Sequence, residues 1–336
     1  MEIERSIAAP HMRIDRNITD PQMAANQIKN DPFLSELLKE HIEPKVVRYG
    51  NIDSVFNPRV IFALRNGETD ISRIMLYCMG GKICELERGG NYDPVINTTY
   101  VRDGNKQIES IIKEIQIRSV LNEGNYEKLY DSYFYGLNPL CGKRDSLFLI
   151  DIEAAFTQRG IRERNIIDLV FLKYVNDVPN LLFIESKQAN NKDNKPKRQQ
   201  NGKWISDTRM QLDRYQSIIE SDRANIIEQY NHVISFYNLF GLNLKLLDAA
   251  SQIRLGLVVY AHEGNKAELD SRRRVMFDAN KIILPMTKTY PVCPIDIKCT
   301  FENNRTSEKL DEEFEKKAIS CIEEFAESVF NKTGSF

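Results

Sequence analysis

Asn165-Ile-Ile-Asp-Leu-Val-Phe-Leu172, a polar stretch around Asn176-Asp177, and Leu181-Leu-Phe-Ile-Glu-Ser-Lys187 decide how this chain is read. Apolar, β-branched runs on both sides of a turn signal predict a β-hairpin. Three charged residues, Asp168, Glu185 and Lys187, sit inside those runs. Charge in a buried strand is costly unless it is paired or holds a metal. The hairpin therefore asks for a chemical reason as well as a structural one.

Strand geometry supplies it. Side chains alternate between faces, so Glu185 and Lys187 point the same way. A turn centred near Asp177 brings Asp168 opposite or diagonal to that pair on the same face. Two carboxylates and an ammonium then converge. Such a carboxylate pair, completed by water, suits a hard divalent cation such as Mg²⁺. The lysine can orient a water or steady a phosphate. A metal with these neighbours is equipped for phosphodiester hydrolysis. The same residues would also serve a surface hairpin carrying a cross-strand Asp–Lys pair.

Asp168 followed by Glu185-Ser186-Lys187 resembles the core of the PD-(D/E)xK nuclease superfamily in a D…ExK variant. Gln211-Leu-Asp-Arg-Tyr215 is similar to the Q-x-x-x-Y motif of its RecB-like branch, and Glu153-Ala-Ala-Phe156 resembles that branch's preceding strand. The resemblance spans residues 147–215. It implies a restriction-endonuclease-like mixed β-sheet flanked by helices. It also implies Mg²⁺ or Mn²⁺ held by Asp168, Glu185 and the Ser186 carbonyl, with Lys187 orienting water or stabilising charge. Gln211 and Tyr215 would face the site and support the lysine or contact phosphate. The implied activity is metal-dependent hydrolysis of nucleic acid, with DNA favoured, in restriction or anti-phage defence. The alternative is a catalytically inactive or ligand-gated nucleic-acid-binding module with a nuclease fold.

The chain has 336 residues, 42% hydrophobic and 28% charged, the composition of a globular protein. No apolar run reaches membrane-spanning length, so no membrane partner is expected. No signal peptide opens the chain, and six cysteines in this length do not form a disulfide framework, which predicts a cytoplasmic protein. A formal charge of −2 gives no global attraction to nucleic acid, so any such site must be a local basic patch. Residues 187–209 provide one: seven Lys/Arg against two Asp. We read Gln188 to Asp207 as a long polar loop without secondary structure. It is either a clamp on a phosphate backbone, with Trp204 stacking on a base, or a solvated segment.

The rest of the chain divides into an N-terminal α+β region (1–140), the nuclease-like domain (141–300) and a C-terminal helix (301–336). Residues 1–20 read as a mobile or extended arm. Asp20-Pro21 and Asp31-Pro32 mark helix starts. Val60–Leu64, Ile74–Cys78 and Ile83–Leu86 read as a meander. Lys106 to Leu121 has helical periodicity. The aromatics of Tyr126–Tyr135 read as core or interface packing, with base stacking the alternative. Ile253–Tyr260 reads as another strand of the main sheet, and Ala267–Phe277 as a basic helix. Cys78, Cys84, Cys293 and Cys299 could form a four-thiolate metal site, but their spacing lacks a C-x₂-C pair and free buried thiols are the default. The amphipathic stretch Ser307–Phe330 reads as a packing or dimerisation helix, which leaves a homo-oligomer among the expected partners.

Overall fold

The computed structural model describes residues 11–14, 20–30, 45–49, 52–56, 60–66, 71–78, 81–87, 126–141, 146–156, 165–189, 191–199, 202, 204–262, 290–297 and 307–331. In chain order the N-terminal part contains β1 (His11–Ile14), α1 (Pro21–Asn30), β2 (Lys45–Tyr49), β3 (Ile52–Phe56), β4 (Val60–Asn66), β5 (Ile71–Cys78) and β6 (Gly81–Glu87). Asp20 caps α1 by accepting the Met23 N–H at 2.9 Å, and Pro21 follows where an N–H would have no partner. β4, β5 and β6 form the expected antiparallel meander. Of the arm expected over residues 1–20, His11–Ile14 and Asp20 are described. His11–Ile14 is a strand, parallel to β4, whose backbone is satisfied by a segment some fifty residues away. The helices expected after Asp31, over 106–121 and over 267–277 lie outside the described residues.

The second part contains α2 (Tyr126–Asp131), 3-10 turns at Ser132–Leu137 and Pro139–Cys141, β7 (Leu147–Phe156), β8 (Asn165–Val175) and β9 (Val178–Gln188). There follow β10 (Pro196–Arg198), β11 (Trp204–Ser206), α3 (Asp207–Ser221), α4 (Arg223–Asn238), β12 (Ile253–His262), β13 (Val292–Ile297) and α5 (Ser307–Asn331). The main sheet has five strands in the order β13-β12-β9-β8-β7. β7, β8 and β9 are antiparallel neighbours, whereas β12 runs parallel to both β9 and β13. The fold is mixed α/β.

Local chemistry explains the central hairpin. Asn176 and Asp177 both take positive φ, 48° and 67°, as a two-residue hairpin turn requires. The ladder pairs Val175 with Val178 and continues to Leu169 with Ile184. β9 is buried almost throughout because the sheet is covered on both faces. On one face Tyr230 of α4 packs on Phe183, and on the other Phe134 of the first 3-10 turn meets Phe171 edge-on. The aromatics of residues 130–135 are thus core, as the packing alternative expected.

The C-terminal helix belongs to the same apolar core: Ala318, Ile319, Ile322, Phe325, Ala326 and Val329 are all buried in it. Gly256 of β12 makes room for it, since a Cβ there would sit 2.9 Å from the Phe325 ring. Cys293 is buried on β13, and its thiol donates to the Cys321 carbonyl at 3.7 Å. Burial pushes that thiol well up, so it stays protonated. Cys78 and Cys84 lie on β5 and β6, while Cys299 lies outside the described residues.

Gln188–Asp207 is not the structureless loop expected. It carries a 3-10 turn at Lys192–Asn194 and the antiparallel ribbon β10–β11. Strands of three residues, Pro-Lys-Arg and Trp-Ile-Ser, are too short to leave a periodic signal in a sequence. Among the described residues, no helix is long and apolar enough to cross a membrane.

Candidate active site

The β8–β9 ladder stops at Leu169 and Ile184, one residue short of Asp168 and Glu185. Beyond that point the Asp168 side chain takes over the bonding. Its Oδ2 accepts the Ser186 N–H at 2.8 Å, in place of a strand carbonyl. Glu185 and Lys187 lie on β9 with Ser186 between them, and the Lys187 ammonium donates to Glu185 Oε1. Glu185 is 1% exposed and its second oxygen, Oε2, is buried without a hydrogen-bond partner among the described residues. A carboxylate oxygen left without a partner in the interior is costly.

Helix α2 closes the site from the other side of Ser186. Asp131 Oδ1 accepts both the Ser186 hydroxyl, at 2.6 Å, and the Tyr260 hydroxyl, at 2.7 Å. One turn earlier, Glu127 Oε1 accepts the Gln188 N–H and the Asn191 side-chain amide, both at 2.7 Å. Glu153 approaches from β7. An extra residue between Leu149 and Asp151 shifts the β7–β8 register, after which Ile152 pairs with Leu169 and Ala154 with Ile167. Glu153 falls between those pairs, at the level of Asp168, with a positive φ of 48°.

The charges do not balance. Asp131, Asp168 and Glu185 face one ammonium, Lys187, so two negative charges would stay uncompensated if all were ionised. Burial, augmented by Glu127 and Glu153, raises the Asp168 carboxyl to about 6, although Lys187 and the Ser186 N–H pull it down. Burial and then Asp168 push Glu185 well above the usual carboxylate range. Burial and the Asp168 charge do the same to Asp131, against the two hydroxyls that it accepts. Burial opposes the Lys187 charge, but Glu185 and Asp168 outweigh it and hold the ammonium above its ordinary value.

Gln211 and Tyr215 share one face of α3, as their spacing predicts. Gln211 Nε2 donates to the Tyr215 hydroxyl at 2.5 Å, and that hydroxyl donates to the Ile166 carbonyl, two residues before Asp168. Burial and then Glu185 raise the Tyr215 phenol, so it stays a donor. The pair therefore fixes the strand that presents Asp168. Ser206 caps α3 by accepting the Arg209 N–H at 3.1 Å.

All the residues singled out in the hairpin and on α3 converge here. Three that the sequence reading passed over join them: Glu127, Asp131 and Tyr260. The signal available for the first two was an acidic pair four apart, one helical turn, inside the aromatic-rich stretch. Trp204 opens β11.

A hard cation could be held here in one specific respect: among the described residues a buried carboxylate oxygen lacks a partner beside a second carboxylate. Among the described residues, no three His, Cys, Asp or Glu side chains form a complete metal cage. Mg²⁺ does not require one, because it keeps several waters and binds through one or two carboxylates. No family model, curated protein or solved structure matches the chain.

Proposed function

We propose that the chain is a divalent-metal-dependent nuclease hydrolysing phosphodiester bonds, with DNA as the favoured substrate. The observation that carries this reading is the bare, buried Glu185 Oε2 next to Asp168 and Lys187. The mixed sheet, with the D…ExK residues on adjacent central strands and helices on both faces, agrees with a restriction-endonuclease-like core.

Asp168, Glu185 and the Ser186 carbonyl would hold Mg²⁺ or Mn²⁺. When bound, such an ion supplies Lewis-acid stabilisation of charge on a phosphoryl oxygen. Lys187, whose ammonium Glu185 and Asp168 hold above its ordinary value, would orient water and stabilise developing charge. Asp168 anchors the Ser186 backbone, and Asp131 anchors its side chain. Ser186 is thereby held from two sides, as a backbone ligand must be. Tyr215 and Gln211 position the start of β8.

The test is cleavage of supercoiled plasmid, linear duplex, single-stranded DNA and RNA with Mg²⁺, Mn²⁺ or EDTA. Wild type is compared with Lys187→Ala and Glu185→Ala. Metal-dependent cutting lost in both variants supports the proposal. Absence of cutting on every substrate would reject it and favour the inactive or ligand-gated nucleic-acid-binding module.

A further inference from the structure

The catalytic cluster is anionic, and so is its proposed substrate. A phosphodiester chain needs cationic contacts close to that cluster, and a chain of net charge −2 provides none globally. The nearest candidates follow Lys187 directly. Lys192 on the 3-10 turn, Lys195 just after it, and Lys197 and Arg198 on β10 are all exposed. Lys197 is engaged by Asp207, whereas the other three form no ion pair among the described residues.

This segment is rooted on the site rather than hanging from it. Glu127 holds the Gln188 N–H and the Asn191 side chain. The Asn194 amide donates to the Gln188 carbonyl at 2.8 Å, and Thr208 Oγ1 donates to Asn194 Oδ1 at 2.9 Å. The first contacts fasten the segment to α2 and the end of β9. The last fastens it to α3, the helix that carries Gln211 and Tyr215. Asn191 further caps the 3-10 turn by accepting the Asp193 N–H at 2.9 Å. β10 and β11 pair with each other from Pro196–Ser206 to Arg198–Trp204. Lys192 follows Lys187 by five Cα–Cα steps, so their Cα atoms are at most ~18 Å apart. At ~3.4 Å of rise per nucleotide in one strand, that is within about five steps of the scissile bond.

We infer that the Lys192–Arg198 segment with its β10–β11 ribbon is the backbone grip of the enzyme, with Lys192, Lys195 and Arg198 contacting phosphates of duplex DNA flanking the cleaved bond. This rests on the nuclease reading. The grip requires anchored cations, and the Glu127, Asn191, Asn194 and Thr208 bonds anchor them. Glu127 thereby belongs to both devices: it adds negative charge near Asp168 and ties down the turn that offsets it.

The experiment combines Lys192→Ala, Lys195→Ala and Arg198→Ala in one chain and measures anisotropy of a labelled duplex with Ca²⁺ across a salt series. Three lost phosphate contacts should flatten the log–log salt slope by about 2.7, so that wild type loses ~40-fold more affinity than the variant between 50 and 200 mM salt. Hydrolysis of bis(p-nitrophenyl) phosphate, too small to reach the turn, should match wild type, which also shows that the variant is folded. Equal affinity and slope in a wild type that cuts DNA and in the triple variant would overturn the grip alone. A wild type that neither cuts nor binds DNA would overturn the grip and the nuclease reading together.

Discussion

Asp168→Asn should change how stability depends on pH. The substitution keeps an oxygen that can accept the Ser186 N–H but removes the ionisable group. In the folded chain Asp168 titrates near 6, above the ~3.9 of an unfolded aspartate. Between those values the folded state holds a proton that the unfolded state has released. Unfolding free energy therefore falls as pH rises through this window. A gap of about two units is worth ~3 kcal/mol, of which ~2 kcal/mol falls above pH 4.5. Asp131 and Glu185 are raised in the same direction and steepen the wild-type decline. The assay is calorimetric melting of wild type and Asp168→Asn in EDTA from pH 4.5 to 7.5. At ~2 °C per kcal/mol, the melting temperature of the variant should gain about 4 °C on wild type across that range. Parallel curves would refute the argument, because they would mean that Asp168 is not held protonated by its surroundings.

Metal should reverse this. Mg²⁺ at one hundred times its dissociation constant should stabilise wild type by ~2.7 kcal/mol at pH 7.5 and leave Asp168→Asn unmoved, read as a thermal shift. Tyr260→Phe removes a donor to the buried Asp131 and should cost ~1–3 kcal/mol in a denaturant titration. Gly256→Ala places a methyl against the Phe325 ring and should cost ~1–3 kcal/mol in the same titration, with cleavage intact below the melting temperature.

The hairpin was legible because its determinants are local. Asn176-Asp177 is a turn whichever protein holds it, and the apolar runs beside it set the register that brings Asp168 level with Glu185. The Gln211–Tyr215 pair was legible for the same reason, being one helical turn apart. Asp131 was not: its partners lie 55 and 129 residues away, and no local pattern encodes such contacts. The turn in β7 that carries Glu153 to the level of Asp168 depends on a one-residue bulge, which alternation does not reveal. β1 was missed because four residues carry little propensity of their own, and parallel pairing with β4 stabilises them. The basic segment was legible as charge and illegible as structure, since its order comes from Glu127 and Thr208 on neighbouring helices.

The central claim is that the buried carboxylates of the hairpin form a divalent-cation site. Mn²⁺ binding followed by electron paramagnetic resonance, in the presence of a duplex oligonucleotide, tests it most directly. The account predicts a bound Mn²⁺ in wild type and in Lys187→Ala that is lost in Asp168→Asn and Glu185→Gln. Equal binding by wild type and both carboxylate variants, or no binding by any of them, would contradict it.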